Sequence, residues 1–352
     1  VNRNSAIDMC RGMLFVLMCN THALSLAQID AAHWLRSDLW LPNGWATVAF
    51  VVLSGYGAGY LFSERRPEIA RDRALRSRGM QIFAVMLVSN IAFALLRQLS
   101  DGHLASALHP QWWLGFVTLE TPWTISGVLF PTATLLLLAP AVIRGVARAP
   151  YLVLAGLAAC QLALSMLKLQ LHGAELATNW FVRLLLTEGL GGFPLLPFLV
   201  NGCLGIWIGM AVRQRKSRKL PILGSLVVLQ CLLYASTWWP ETVLWHVLRG
   251  SFGAVAKFGC VYLLAVAAVH WLPSRMGRAI ELIGAYALGS FVMHRIFLQT
   301  LAIVLTLVGA AQVHSPFYYV ALFAGTLLLT WQLCLQRQSW SSVDLMFRRL
   351  AM

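Results

Sequence analysis

The chain has 352 residues, of which 59% are hydrophobic and only 11% charged, with a net charge of +14. A soluble domain of this size carries about 25% charged residues, so composition excludes an ordinary globular enzyme and points to a chain that crosses a membrane repeatedly. The basic excess does not mark a nucleic-acid partner, because the cations cluster in short stretches between apolar runs.

Hydropathy predicts an all-α, polytopic membrane protein of about ten transmembrane helices, each about 20 residues long. The spans fall at 7–26, 42–62, 80–99, 123–143, 151–171, 193–212, 220–239, 251–271, 281–305 and 316–335. No linker or low-complexity tract interrupts them, so a single integral-membrane domain over 1–352 is expected. Val1 in place of Met predicts that sequence precedes it, and no stretch has the layout of a cleavable signal peptide.

The first span reads IDMCRGMLFVLMCNTHAL. Arg11 and His22 are eleven steps apart, close to three helical turns, so both project from one face about 16 Å apart along the axis. Ionisable side chains on a membrane helix are costly and normally face a polar cavity or a partner. A structural alternative is open for each: Arg11 snorkels to the interface and pairs with Asp8, and His22 packs there.

The second span contains VVLSGYGAGY. Ser54 lacks the strand–turn–helix context of a nucleophile elbow, and its serine and glycines suit close helix packing. Basic residues follow alternate spans: Arg65, Arg66, Arg71, Arg73, Arg76 and Arg78 after the second, Arg144 and Arg148 after the fourth. Arg213, Arg215, Lys216, Arg218 and Lys219 follow the sixth, Arg275 and Arg278 the eighth, and Arg337, Arg348 and Arg349 the tenth. With Arg3 they lie on one side if both termini are cytoplasmic. Asp30, Asp38, Asp101, Glu120, Glu175 and Glu241 fall on the other side.

Segment 178–192 is amphipathic and suits an interfacial or re-entrant position. The eighth span holds Lys257 in its middle, with Arg249 two turns earlier on a neighbouring face and Glu188 and Glu281 as distant candidate partners. Such a lysine needs an aqueous cavity, a carboxylate or an anionic ligand. Arg183 and Arg295 are further cations within or near apolar stretches, and His294 lies in the ninth span. Residues 281–309 are long for one tilted helix. The seven cysteines sit in apolar runs without CxxC spacing, as packing residues do, and no metal is expected.

Four stretches carry a family likeness: AIDMCRG…NTH at 6–22, AFVVLSGYGAGYLF at 49–62, VLFPTATLLLLAP at 128–140 and ELIGAYALGSFVMHRIFL at 281–298. Together they resemble the acyltransferase family 3 superfamily of integral-membrane acyl-CoA-dependent transferases, in particular its OpgC-like branch, which succinylates periplasmic glucans. The chain departs from that pattern at Val48, where an acid often stands, and at Thr132, where an aromatic is usual.

The resemblance implies helices around a central pore or cavity in a bacterial inner membrane. It implies His22 as the catalytic base, Arg11 as the acyl-donor contact and His294 as a late motif histidine. Acyl-CoA, as succinyl-CoA or acetyl-CoA, is then the co-substrate, and a glycan or glycolipid hydroxyl the acceptor. Arg249, Lys257 and Ser54 are further candidate donor contacts. Two other classes stay open: a transporter or exporter of a glycan or organic anion, and a non-catalytic membrane scaffold.

Overall fold

The fold is given by a computed structural model that describes residues 4–30, 32–37, 40–62, 67–100, 102–117, 123, 125–171, 180–187, 194–214, 219–238, 242–311, 313–340 and 344. The helices are α1 (Ser5–Leu26), α2 (Trp45–Phe62), α3 (Glu68–Ser100), α4 (Pro110–Val117), α5 (Ser126–Arg148), α6 (Pro150–Gln170) and α7 (Trp180–Val182). They continue with α8 (Leu195–Gln214), α9 (Lys219–Ala235), α10 (Val243–Trp271), α11 (Ser274–Ala285), α12 (Ala287–Leu307) and α13 (Pro316–Ser339).

Among the described residues nine helices are long and apolar enough to cross a bilayer: α1, α2, α3, α5, α6, α8, α10, α12 and α13. The chain is an all-α multi-pass membrane protein. The expected span at 220–239 becomes α9, whose apolar part, Pro221–Ala235, falls short of that length. Two helices outrun their expected spans. α3 starts at Glu68, so Arg71, Arg73, Arg76 and Arg78 are helical, and α10 starts at Val243, so Arg249 and Lys257 share one helix. Charge at a helix end does not stop the helix when those turns can reach polar surroundings.

Segment 178–192 is described only over 180–187, where α7 runs into a π-helical turn, Arg183–Thr187. Its flanks, including Glu188, lie outside the described residues. So do Arg3, Arg65, Arg66, Arg215, Lys216, Arg218, Arg348 and Arg349, and the acidic Asp38, Asp101, Glu120, Glu175 and Glu241.

The chain forms two compact units, each assembled from separated stretches. One comprises 1–46, 85–125 and 265–352, the other 47–84 and 126–264.

In the first unit, α1 packs along α11, α12 and α13. Asn4 caps α1, its side chain accepting from the amides of Ala6 and Ile7 at 3.1 and 3.4 Å. Where α1 meets α11 the backbones touch: a Cβ on Gly12 would overlap the Ile280 carbonyl, and one on Gly284 the Asp8 carbonyl. Small residues allow that approach, which supplies packing in a solvent where burial of apolar groups supplies little.

The single span expected at 281–305 is two helices. α11 ends at Ala285, Tyr286 stands between, and α12 begins at Ala287. The break is satisfied locally, because the Ser290 hydroxyl donates to the Ile283 carbonyl at 3.2 Å and the Ser290 amide to the Tyr286 carbonyl at 3.0 Å.

In the second unit, α2 and α8 make the same kind of contact. Cβ atoms on Gly55 and Gly59 would overlap the carbonyls of Gly202 and Ile206, and ones on Gly205 and Gly209 those of Val52 and Tyr56. α8 also packs on α5, α6 and α9. Buried Tyr56 and Tyr262 join hydroxyls at 3.1 Å. Near the start of α3, Arg144 of α5 pairs with Asp72 and with Glu68, the latter at 3.2 Å.

Candidate functional site

α1 runs unbroken from Ser5 to Leu26, so Arg11 and His22 stand on one helix as the spacing requires. At one end of the stripe, Arg11 Nη1 donates to Asp8 Oδ1 at 2.9 Å, one turn away. The carboxylate is nearly buried and the guanidinium partly exposed, with side-chain exposures of 8% and 30%. The pair can therefore form while the cation keeps access to a ligand.

At the other end, the half-buried His22 ring stacks on that of His294, with centroids 5.5 Å apart and planes 23° apart. His294 is fully buried in α12. Its residues Phe291, His294, Leu298 and Ala302 recur at helical spacing and are all buried. Phe15, on the same stripe of α1 as Arg11 and His22, meets the His294 ring edge-on at 5.5 Å, and Phe291 does so at 5.6 Å. His294 Nδ1 contacts the Phe291 carbonyl. A carbonyl only accepts, so Nδ1 carries the proton and Nε2 keeps a lone pair. Nε2 is buried and without a hydrogen-bond partner among the described residues.

Arg295, the residue after His294 on α12, adds a cation, and its guanidinium lies over the Phe93 ring at 5.3 Å. Sequence reasoning noted Arg295 as a cation in an apolar stretch but did not place it with the histidines. Phe15 was missed, although its position four residues after Arg11 and seven before His22 puts it on the same stripe.

Beyond α1 the chain folds back on the helix ends. Ala23, Leu24, Ile29, Leu35, Tyr318 and Leu322 belong to one buried cluster. Arg36 donates to the carbonyls of Ile29 and Leu24, the latter at the end of α1 and also accepting from the Ile29 amide at 3.2 Å. Trp40 donates its indole N–H to the Tyr319 hydroxyl at 2.9 Å, which donates to Asn20 Oδ1 at 2.6 Å. Thr21 donates to Asn43 Oδ1 at 2.7 Å. The two residues before His22 are thus tied to α13 and to the following loop.

Ser54, Arg249 and Lys257 belong to the second unit. The Ser54 hydroxyl donates to the Phe50 carbonyl at 2.8 Å, a bond within its own helix. Arg249 Nε donates to the Trp245 carbonyl at 3.3 Å. Lys257 is half-buried on α10.

The arrangement in the first unit provides an imidazole held by ring contacts, a second imidazole with a buried lone pair, and a guanidinium carried by the residue after that second imidazole. Those are the parts a proton transfer with developing oxyanion charge requires. No curated protein and no solved structure matches the chain. A family model described as an acyltransferase domain matches residues 4–335, nearly the whole sequence, and the chain belongs to the acyltransferase family 3 superfamily.

Proposed function

We propose that the protein moves an acyl group from acyl-CoA to a hydroxyl of an extracytoplasmic glycan, with His22 as general base. Family membership implies an acyl-CoA-dependent mechanism in general. Succinyl transfer to a glucan, as in the OpgC-like branch, is the specific form proposed, in a bacterial inner membrane with both termini cytoplasmic. The observation that carries the reading is the His22–His294 stack at 5.5 Å, within a unit that also holds Arg11 and Arg295.

In the proposed reaction the acceptor hydroxyl donates its hydrogen bond to an unprotonated nitrogen of His22. As the proton transfers, the oxygen attacks the thioester carbonyl and a C–O bond forms. The carbonyl electron pair moves onto oxygen, where the Arg295 guanidinium stabilises it. Collapse breaks the C–S bond, and the imidazolium proton passes to the departing sulfur, so His22 returns neutral. General-base assistance of this kind contributes about 10²–10⁴-fold. His294 positions the His22 ring.

Arg11 is the proposed donor contact on the cytoplasmic side, with Arg249 and Lys257 as further ones. Ser54 supports that role least, because its proton is already given to Phe50.

The test is turnover by protein reconstituted in liposomes, with acetyl-CoA or succinyl-CoA, a β-glucan oligosaccharide and detection of free CoA thiol. His22→Ala abolishes thiol release while its size-exclusion profile is unchanged. Normal turnover by that variant overturns the base assignment. If CoA fails to raise the melting temperature of the wild type, the transporter reading takes its place.

A further inference from the structure

α11 is not one of the apolar spans. It reads SRMGRAIELIGA and is amphipathic. Arg275 and Arg278 stand three residues apart and therefore share a side of the helix. Both are exposed. Arg278 Nε donates to the Ser274 carbonyl at 2.9 Å, which leaves its terminal nitrogens to point elsewhere. Neither arginine is ion-paired among the described residues, whereas Asp8 nearby is paired with Arg11.

These two arginines line a cavity of about 720 Å³ within the first unit. That volume lies in the range of small-molecule sites, roughly 300–1,000 Å³. Leu282, Trp331 and Leu335 give it an apolar wall, and Asp8, Glu281 and Gln338 add hydrogen-bonding groups. A second feature points the same way. The residue before α11 is Pro273, with no side-chain cap, so the first amides of a 12-residue helix are left for another acceptor beside Arg275 and Met276 of the cavity wall.

Of the two carboxylates in the lining Asp8 is already paired with Arg11, which leaves two guanidiniums, an uncapped helix start and an apolar wall with one indole to set the character of the cavity. They suit an amphiphile with an anionic head. The structure assigns to this cavity a phosphate-bearing ligand, its phosphate on Arg275, Arg278 and the start of α11, its apolar or aromatic part against Trp331, Leu282 and Leu335. Guanidinium forks match phosphate oxygens in charge and geometry. Glu281 orients the ligand: its carboxylate accepts from a hydroxyl or amino group, so every phosphate lies away from it, on the side of the arginines.

Two sources share this chemistry, the nucleotide end of a CoA thioester and the headgroup of an anionic phospholipid. The nucleotide source rests on the acyl-transfer reading above, and the lipid source is independent of it.

The experiment measures binding without turnover, so its outcome is separable from that of the His22→Ala assay. Wild type and an Arg275→Gln/Arg278→Gln double variant are purified in neutral detergent and their melting temperatures followed. One arm adds adenosine 3′,5′-bisphosphate. The other compares phosphatidylcholine nanodiscs with and without phosphatidylglycerol. A rise on the order of a few degrees in the wild type, absent from the variant, is expected in one arm. The bisphosphate arm identifies a nucleotide site and the phosphatidylglycerol arm a lipid site. Equal response of wild type and variant in both arms, or no response in either, overturns the proposal. Because both arginines are exposed, the variant is expected to fold, and Arg275→Lys/Arg278→Lys, which keeps the charge, restores part of the shift.

Discussion

The imidazole of His294 lies face to face with that of His22, centroids 5.5 Å apart, although the two stand near opposite ends of the chain. His294 is in turn held by the Phe291 carbonyl and by the edges of Phe15 and Phe291. The orientation of His22 therefore depends on packing supplied by α12 and by its own helix about two turns along the same stripe.

If His294 acts by holding that ring, shape matters more than chemistry. His294→Ala removes the stack and lowers kcat on the order of 10²-fold, the cost of a reacting group misplaced by about 1 Å. His294→Phe keeps a ring in the place and retains most of the activity. Measured kcat with KM for acyl-CoA unchanged is the expected pattern. Equal losses in the two variants mean that the imidazole of His294 itself takes part.

Gly284 is a stability hinge between α1 and α11. A Cβ there overlaps the Asp8 carbonyl, and backbone cannot yield as a flexible side chain can. Gly284→Ala is expected to lower stability by about 1–3 kcal/mol, the usual cost of overpacking. Gly156 of α6 meets nothing within 4 Å, so Gly156→Ala removes backbone freedom without a clash and leaves stability unchanged or higher. Melting temperatures of the two variants in the same detergent decide this, and equal shifts would remove the close contact as the explanation.

Tyr319 bridges Trp40 and Asn20. Its hydroxyl accepts from the indole and donates to Asn20 Oδ1. Asn20 is fully buried, and its Nδ2 already lacks a partner among the described residues. Tyr319→Phe leaves Oδ1 unsatisfied as well, a loss of about 1–3 kcal/mol. Replacing both ends, Tyr319→Phe with Asn20→Leu, recovers part of that loss, because an apolar pair needs no partner. A double-mutant cycle on melting temperature reads the coupling, and strict additivity would show that the bond contributes nothing.

Periodicity reached the parts of this protein that are written along one helix. The stripe of Arg11 and His22 follows from 3.6 residues per turn and survives in α1. It did not reach what depends on a neighbour. Residues 281–309 contain no proline, and no charged residue stands between Glu281 and Arg295, so the break at Tyr286 is invisible until Gly284 is seen against Asp8 and Ser290 is seen to satisfy the Ile283 carbonyl. The late histidine stood out through a motif likeness, but nothing local says that its ring lies on His22. The Trp40–Tyr319–Asn20 chain has no periodic signal, since one member is in a loop and the others are on different helices.

Arg11 offers a test in which two substitutions move one quantity in opposite directions. Its Nη1 is committed to Asp8 Oδ1 at 2.9 Å, and the guanidinium keeps other donors. If those donors bind the acyl-CoA, Arg11→Gln removes a charge-assisted hydrogen bond of about 1.5–3 kcal/mol and raises the KM for acyl-CoA on the order of tenfold or more. Asp8→Asn removes a competing anion while keeping the side chain's shape. The guanidinium is then freer to engage an anionic donor, and KM falls. Neither change touches the base, so kcat at saturating donor is expected to hold within a few-fold in both. A guanidinium that merely anchors the helix end gives a different pattern: both substitutions weaken the same Asp8–Arg11 pair, both lower the melting temperature, and KM for acyl-CoA stays where it was. Initial rates over a range of donor concentrations, measured alongside melting curves for the three proteins, separate the two.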